Sequence, residues 1–294
     1  MKSNQMNQKV LHTLFIIMGL ASLFPFILLI MASFTDESTL ISEGFSILPS
    51  QFSFEAYTYL FTASGSIFRA YGISAFVTVV GTATGLLISC MLAYPLSRKD
   101  MPYRNVFSFL VFFTLLFNGG LVPTYLVYTE LLDIKNTIWS LIVPNLLTNG
   151  FFILIFRTFF VMSIPKELIE SAYIDGASEF KIFWKIVLPL SLPVIATIGL
   201  LSSINYWNDW FNGLIYVTDA ELFSIQNLLN RMLTDIQFLQ TTNLGSSTAD
   251  LTSNIPTKTL QFAMAVVGVM PILLAYPFFQ KYLVKGLTVG AVKG

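Results

Sequence analysis

The sequence predicts an all-α membrane protein with six transmembrane helices, and two observations support this prediction. Of its 294 residues, 55% are hydrophobic and only 11% are charged, whereas roughly a quarter of the residues in a soluble domain carry a charge. The few charges are also clustered, which leaves six long stretches without Asp, Glu, Lys or Arg. These stretches are residues 11–34, 70–97, 106–129, 136–156, 188–208 and 259–280.

Each stretch is long enough to cross a bilayer as a helix, because about 20 residues span a hydrocarbon core of roughly 30 Å. Helices are expected rather than strands, since a segment in lipid must satisfy its own backbone hydrogen bonds. The first stretch follows Lys2 and Lys9, as the apolar region of a signal peptide would. It is longer than such a region usually is, so we expect an uncleaved membrane anchor.

The distribution of Lys and Arg predicts that both termini are cytoplasmic. With the N-terminus inside, residues 1–10, 98–105, 157–187 and 281–294 are cytoplasmic and hold twelve of the sixteen Lys and Arg residues. Such an excess marks the cytoplasmic side. The predicted organisation is a cytoplasmic tail (1–10), a first helix (11–34), an extracytoplasmic loop (35–69), a core of five helices (70–285) and a cytoplasmic C-terminal tail (286–294).

Several functional classes are disfavoured by the composition. The net charge is zero, so there is no basic excess of the kind that nucleic-acid-binding proteins carry. His12 is the sole histidine, which leaves neither a histidine cluster for a metal nor a Ser-His-Asp set within the spans. Cys90 has no partner for an intrachain disulfide and is expected to be a small buried hydrophobe. We therefore expect no catalytic residue, no metal site and no bound cofactor in this chain.

The segment at 163–189, between the fourth and fifth stretches, is predicted to form two short helices. Pro165 suits the first turn of the first helix, where its missing N–H costs nothing. Gly176 is expected to end that helix in the left-handed conformation, and Ser178 to cap the second one, with Glu179 in its first turn. Pro189 marks the start of the fifth span.

The first of these helices is amphipathic. Leu168 and Ala172, and likewise Ile169 and Tyr173, are four residues apart and are predicted to form one apolar stripe. Lys166, Glu167 and Glu170 take the remaining surface. A helix of about three turns is marginal alone, but two membrane spans hold this one, so its exposed stripe is well placed to dock into a cytoplasmic groove.

The same segment resembles the EAA loop of the permease subunits of bacterial ATP-binding-cassette (ABC) importers. That signature has Glu-Ala-Ala, a Gly three residues later and Ile-x-Leu-Pro after nine more, and here Glu170, Gly176 and Ile186 to Pro189 meet every spacing. Ser171 replaces the first Ala, a small residue for a small one. The resemblance implies an ATPase-coupling role for Glu167, Glu170, Ser171, Ala172, Asp175, Gly176 and Ala177.

Nearly the whole chain is similar to the smaller-subunit, six-span permeases of the maltose-type carbohydrate group, including an ending like residues 287–294. This resemblance implies a type I importer permease fold in a bacterial cell membrane, a second permease as heterodimer partner, an extracytoplasmic solute-binding protein and a carbohydrate substrate. It also implies two ATPase subunits, which bind ATP and Mg and move the coupling loops as they close. Residues 117–123 suggest the branch that serves larger oligosaccharides.

The end of the fifth stretch predicts part of the substrate pathway. Asn205, Asn208 and Asp209 are spaced to share a helix face, and Trp207 adds an aromatic surface; sugars bind to hydrogen-bonding groups set among apolar walls. For Trp210 and Phe211 an aromatic belt at the membrane surface is an equal alternative. Asn118, Asn145 and Asn149 are weaker candidates, because Asn also joins helices to one another.

Alternatives remain open at this stage. An importer for a non-sugar solute would carry the same loop, and a secondary transporter would also be a helical bundle, although one carboxylate near the end of a span, Asp209, is little support for proton or ion coupling. In the last outer loop, residues 228–233 predict a short amphipathic helix and residues 240–253 form a Thr-, Ser- and Asn-rich strip. This region is expected either to meet a soluble partner or to lie on the membrane surface.

Overall fold

The structure is a computed structural model that describes residues 2–62, 64–241 and 256–291, with side chains described for 8–62, 66–238, 256–275 and 277. Within these ranges every regular element is a helix, and the one pairing of extended backbone joins Thr35 to Phe52. The all-α prediction is confirmed. Residues 242–253 of the polar strip and 292–294 of the predicted C-terminal tail lie outside the described residues.

The helices follow one another in a simple order. They are α1 (Lys2–Ser33), α2 (Glu37–Glu43), α3 (Glu55–Thr62), α4 (Ser64–Ser97), α5 (Arg104–Leu116), α6 (Leu121–Leu126), α7 (Trp139–Ile142), α8 (Gly150–Ser163), α9 (Lys166–Ile174), α10 (Glu179–Ile182), α11 (Leu188–Leu190), α12 (Leu192–Trp207), α13 (Phe211–Tyr216), α14 (Ile225–Thr241) and α15 (Thr257–Ala291). A π-helical turn, Val127–Leu131, extends α6, a second one, Phe183–Val187, joins α10 to α11, and a 3₁₀ turn, Ala220–Leu222, precedes α14.

Three of the described helices are long and apolar enough to cross a membrane by themselves, in α1, α4 and α15. The number rises to five if each of two bent pairs counts as one span. One pair is α5 with α6 and its π turn, bent by 115°, and the other is the α10–α11 segment with α12, bent by 78°. Helix α8 is apolar but has only 14 residues.

The third predicted stretch, 106–129, is not one continuous helix, and its local sequence explains why. Helix α5 stops at Phe117, whose backbone is extended. The Asn118 side chain then accepts a hydrogen bond from the Gly120 N–H at 2.8 Å, and Gly120 has a φ of 86°. This is a conformation that glycine adopts without strain, so the Asn-Gly-Gly sequence breaks the span.

The fourth stretch, 136–156, is broken in the same way. Helix α7 ends before Pro144, which has no N–H to continue a helix, and Asn145 follows with a φ of 60°. The carbonyl oxygens of Ile142 and Pro144 instead accept hydrogen bonds from the Tyr206 hydroxyl at 2.9 Å and the Asn212 amide at 3.0 Å. These bonds satisfy an irregular backbone that lipid alone could not.

The described residues fall into two compact units. The first lies within Met1–Ile67 and Leu229–Pro271, and the second within Phe68–Leu228 and Ile272–Gly294. In the first unit, Leu60, Leu260 and Met264 are almost fully buried. The carboxylate of Glu37 there accepts hydrogen bonds from the backbone N–H groups of Lys258 at 3.0 Å and Thr259 at 2.9 Å, so it caps the start of α15.

The second unit contains the main apolar core around the loop of interest. Helix α4 contributes Cys90, Ala93 and Leu96, and α8 contributes Ile153, Phe156 and Phe160. Cys90 is 1% exposed, which confirms it as a buried hydrophobe. Side chains from the segment after α8 complete this core, and they fix the position of the predicted coupling loop against the helices of its own unit.

Candidate functional site

Helix α9 forms the first half of the 163–189 loop and ends at the predicted Gly176 turn, but Pro165 lies just before the helix and not in its first turn as predicted. Pro165 occupies the N-cap position, and Asp175 follows the last helical residue. Gly176 has a φ of 73°, and its N–H bonds to the Tyr173 carbonyl at 2.9 Å, while the Ala177 N–H bonds to the Ala172 carbonyl at 2.9 Å. These two bonds form a Schellman motif, so Gly176 and Ala177 have a structural role in ending the helix.

The apolar stripe predicted on α9 is wrong in one respect, because only part of it is exposed. Ile169 is only 8% exposed and packs in the core, with Ala172 against it. Leu168 and Tyr173 are exposed, and so is Ile174, at 87%. The inward positions hold α9 to its own unit, so the predicted stripe is not a continuous exposed surface. The exposed residues of α9 and its turn include Glu167, Leu168, Glu170, Ser171, Ile174, Asp175 and Gly176.

Ile174 is the functional candidate that the sequence reading missed on this helix. A large apolar side chain exposed at 87% beside charged neighbours is unusual outside a contact surface. Its position in the sequence was the available signal, because Ile174 is a large apolar residue directly before the Asp175-Gly176 turn that ends the helix. Ile174 is the last residue of α9, and little of its side chain is covered by the described part of the chain.

The second half of the loop is a helical segment from α10 through α11. The Ser178 side chain accepts a hydrogen bond from the Lys181 N–H at 3.4 Å, which confirms the predicted cap. Ile182 and Val187 are fully buried and anchor the segment in the core. The direction of the chain changes by 78° at Ser191, between α11 and α12, so the predicted fifth stretch, 188–208, is not one straight helix.

A polar cluster joins this loop to the end of α4. The Tyr94 hydroxyl donates a hydrogen bond to the Glu179 carboxylate, and the Tyr94 ring lies 5.5 Å from that of Phe183. Arg98 Nη2 is 3.9 Å from the other Glu179 oxygen. A cavity of about 500 Å³ opens beside these groups. Its lining residues are Met91, Tyr94, Pro95, Arg98, Asp100, Met101, Pro102, Glu179, Phe180 and Phe183.

Arg98 is the centre of this cluster. Its Nε and Nη2 donate to the two carboxylate oxygens of Asp100, each at 3.1 Å. These hydrogen bonds hold the pKa of the Asp100 carboxyl below its ordinary value. The guanidinium also lies over the Tyr173 ring, 5.3 Å from its centroid, and Nη2 is 3.4 Å from the Tyr173 hydroxyl. One cation therefore contacts residues from both halves of the loop.

The predicted pathway residues at the end of α12 do not share one helix face, because the helix ends at Trp207. Asn205 and Asn208 are exposed, as a pathway role requires. Asp209 instead accepts hydrogen bonds from the N–H groups of Phe211 and Asn212, both at 3.1 Å, so it caps α13. Trp207 is 8% exposed, and its ring centroid lies 6.1 Å from that of Tyr71.

The other three asparagines sit at breaks in the helices, each with a local structural role. Asn118 forms the turn between α5 and α6, and Asn145 takes the left-handed conformation after Pro144. Asn149 caps α8 by accepting a hydrogen bond from the Phe151 N–H at 2.9 Å. Asn118 and Asn145 are exposed and Asn149 is half-buried. The structure does not gather these residues with Asn205 and Asn208 into one described cavity.

Tyr206 and Asn212 are further residues that the sequence reading missed. Both hold the backbone around the break after α7 through bonds to the carbonyl oxygens of Ile142 and Pro144, and both are buried. Glycines on α4 make room for these elements. A Cβ on Gly81 would lie 2.4–2.8 Å from the Tyr206 ring, and a Cβ on Gly85 would lie 2.9 Å from the Leu147 carbonyl oxygen. The Gly-x-x-x-Gly spacing was the available signal.

In the part of the chain that the structure describes, no group of three or more His, Cys, Asp or Glu side chains is close enough to hold a metal ion.

Comparison with known proteins gives matches along nearly the whole chain. Residues 4–289 match the model of the family described as binding-protein-dependent transport system inner membrane component. The polygalacturonan/rhamnogalacturonan transport system permease protein YtcP of Bacillus subtilis is 39% identical over 293 residues, which cover 99% of each chain. Protein LplC of the same organism is 41% identical over 278 residues, 94% of this chain and 91% of that one.

A more distant relative and a solved structure extend the match. The arabinooligosaccharides transport system permease protein AraQ of Halalkalibacterium halodurans is 30% identical over 284 residues, 95% of this chain and 94% of that one. The crystal structure of a bacterial ABC transporter involved in the import of the acidic polysaccharide alginate contains a similar chain, with a TM-score of 0.79 and 28% identity. The match covers 96% of this chain and 98% of that chain.

Proposed function

The chain belongs to the family of binding-protein-dependent transport system inner membrane components, and from this premise we propose that it is the permease subunit of an ABC importer that carries an oligosaccharide. The observation that supports this most directly is the end-to-end match to permeases named for polygalacturonan, rhamnogalacturonan and arabinooligosaccharides. The alginate importer gives the same substrate class for a chain of the same fold. The protein is a multi-pass membrane protein and the translocating part of its system.

We propose six membrane spans with both termini in the cytoplasm. Helices α1, α4 and α15 are three of them, the bent pair α5–α6 is a fourth, and α12, the second part of the other bent pair, is a fifth. For the sixth, α8 rises about 21 Å by itself, which is shorter than a hydrocarbon core of roughly 30 Å. The preceding residues 139–149 supply the remaining length. The tails at 1–10 and 286–294 and the loop at 163–189 are then cytoplasmic, and the loop at 35–69 is extracytoplasmic.

The exposed side of α9 is proposed to dock on an ATPase subunit. Ile174 and Leu168 supply apolar contacts, and Glu167, Glu170 and Asp175 surround them with negative charge. Ala172, Gly176 and Ala177 take part in the hydrogen bonds that end the helix, and Ser171 contributes a small side chain to its exposed side. ATP and Mg bind to the ATPase subunits, two of which close together. This closure moves α9 and switches the membrane helices between outward-open and inward-open arrangements.

The remaining partners follow from this arrangement. A second permease forms a heterodimer with this chain, and an extracytoplasmic binding protein delivers the sugar. Asn205 and Asn208 are the best-supported pathway residues, because they are exposed where α12 ends, and Asn118 and Asn145 are exposed as well. The other three candidates have supporting roles. The Trp207 ring packs beside Tyr71, Asp209 caps α13 and Asn149 caps α8.

The docking assignment is tested by Glu170→Lys, which reverses an exposed charge without touching the core. Uptake of labelled oligosaccharide is measured in cells, and the amount of membrane-inserted complex is measured alongside. We expect uptake to be lost while insertion is retained. Gly176→Pro is a second variant, since proline cannot adopt a φ of 73°. Normal uptake by correctly assembled complexes of both variants contradicts the assignment.

The substrate class is tested separately, by competition. Uptake of a labelled pectin- or arabinan-derived oligosaccharide is measured in the presence of unlabelled oligosaccharides and, in a parallel series, of unlabelled non-sugar solutes such as amino acids or phosphate. We expect only the oligosaccharides to compete. No uptake of the labelled oligosaccharide, together with uptake of a labelled non-sugar solute, assigns the chain to an importer for that solute and leaves the docking assignment intact.

A further inference from the structure

We propose that Tyr94, Arg98, Tyr173 and Glu179 form a positioning link, here called the α4–loop link, which makes the end of α4 move together with the coupling loop. The proposal rests on the proposed function, because it assumes that the loop receives movement from an ATPase. It goes further by naming the residues of this chain that pass the movement to a membrane span. None of the four needs to contact an ATPase or a sugar.

The first contact of the link is the hydrogen bond from the Tyr94 hydroxyl to the Glu179 carboxylate. Tyr94 lies near the end of α4 and is 7% exposed, whereas Glu179 is the first residue of α10. A bond to an ionised acceptor is shorter and stronger than one between neutral groups. This bond is also directional, so it fixes the position of α10 along α4 in a way that apolar packing does not.

The second contact is made by Arg98, the first residue after α4. Its guanidinium faces Glu179 at 3.9 Å and Tyr173 at 3.4 Å from the hydroxyl and 5.3 Å from the ring centroid. Tyr173 is on α9 and Glu179 is on α10, so Arg98 holds both sides of the Gly176 turn. The Arg98 side chain is 18% exposed, and a partly buried charge pair is screened less by salt than a pair at the surface.

The carboxylate of Asp100 keeps Arg98 in this orientation. It accepts from Nε and Nη2 at 3.1 Å each, in the plane of the guanidinium, which fixes that plane and leaves a face of the group free to lie over the Tyr173 ring. A planar group held in this way acts as a rigid bridge. The result is that α9, α10 and the end of α4 are tied at a single point, and a displacement of α9 is transmitted to α4 first.

The link differs from the packing that merely stabilises the loop. Ile169, Ile182 and Phe183 already hold the loop in the apolar core. Loss of the Tyr94 hydroxyl keeps the ring against Phe183 and leaves Glu179, whose side chain is 50% exposed, in contact with water. Tyr94→Phe is therefore expected to fold and assemble, so its effect reports on coupling rather than on stability.

The test uses the complete importer in liposomes, with both permeases, both ATPase subunits and the binding protein. Sugar transported per ATP hydrolysed is the readout, because a folding defect lowers both quantities together and leaves their ratio unchanged. Tyr94→Phe and Glu179→Gln are each expected to lower this ratio about fivefold, the low end of the coupling between linked sites. Tyr103→Phe is the matched control, since it removes a hydroxyl from a side chain that is 77% exposed, beyond the end of the same helix.

The double variant Tyr94→Phe/Glu179→Gln adds a second criterion. Its ratio is expected to equal that of the worse single variant, because both changes break one bond and such effects do not add. An unchanged ratio in both single variants, or an additive loss in the double variant, overturns the link. The proposed function is judged separately by Glu170→Lys: if that variant loses uptake while Tyr94→Phe keeps the normal ratio, only the link is wrong.

Discussion

The Nε of Arg157 donates a hydrogen bond to the carbonyl oxygen of Leu96 at 3.0 Å. Leu96 lies in the last turn of α4, where carbonyls have no partner within the helix, and it is fully buried. Arg157 lies within α8, although the sequence places it just beyond the fourth span. A side chain of α8 thus caps the C-terminal end of α4, close in sequence to Tyr94 and Arg98 of the α4–loop link.

Arg157→Met is expected to destabilise the permease by about 1–3 kcal/mol, because a buried carbonyl loses a charged donor. Thermal unfolding of the purified complex measures the change. Lys99→Met is the control, since it removes an exposed cation from the segment after the same helix. Equal unfolding temperatures for the two variants contradict a capping role for Arg157.

Gly81→Ala is expected to destabilise the protein by about 1–3 kcal/mol through overpacking. A Cβ at this position would lie 2.4–2.8 Å from the Tyr206 ring, whose hydroxyl is bonded to the Ile142 carbonyl and so resists a shift. Gly72→Ala on the same helix meets nothing within 4 Å and is the control. The two variants are compared by thermal unfolding, and a Gly81→Ala protein as stable as Gly72→Ala indicates that the ring is not held as described.

Glu37→Gln is expected to weaken the first unit by about 1 kcal/mol, the usual contribution of a helix cap. Both Glu37 oxygens accept from N–H or hydroxyl groups at Thr257 to Thr259. The Gln amide replaces one of the two acceptor oxygens with an NH2 group, which cannot accept these hydrogen bonds. Exposed Glu55→Gln, in the first turn of α3, is the control. Hydrogen exchange at the start of α15 is the measurement, and unchanged exchange in Glu37→Gln excludes the cap.

Ile174→Ser and Ile169→Ala are expected to separate docking from folding. Ile174 is 87% exposed, so Ile174→Ser should change stability by about 0.5 kcal/mol at most yet prevent co-purification of the ATPase subunits. Ile169 is 8% exposed, and Ile169→Ala should cost about 2–5 kcal/mol through the cavity that it creates. Normal ATPase recovery with Ile174→Ser would mean that the exposed side of α9 is not the contact surface.

Asn208→Ala and Trp207→Ala are expected to differ although the residues are adjacent. Asn208 is exposed, so its variant should alter the uptake kinetics of the oligosaccharide while the yield of assembled complex stays normal. Trp207 is 8% exposed and packs beside Tyr71, so its variant should lower the yield, at about 3–5 kcal/mol. Unchanged kinetics for Asn208→Ala would remove it from the pathway.

Local features were predicted well where neighbouring residues decide them. The Gly176 turn, the Ser178 cap and the buried state of Cys90 are all confirmed. The helix expected at 228–233 is part of α14. The breaks at 117–120 and 143–149 were missed because an apolar stretch shows its length but not its continuity. Asn-Gly-Gly and Pro-Asn were the local signals, and their effect was underestimated.

The amino-acid sequence alone determined that the chain is helical and membrane-embedded, because lipid excludes charge and a spanning segment must satisfy its own backbone. It also predicted the turn and the cap of the 163–189 loop, which depend on residues close in sequence. Only the tertiary structure decided that Ile169 faces inward and Ile174 outward, that Tyr94 and Arg98 tie α4 to the loop, and that Tyr206 and Asn212 hold the broken backbone. Those outcomes depend on contacts between residues far apart in the chain, whose partners a periodic pattern cannot identify.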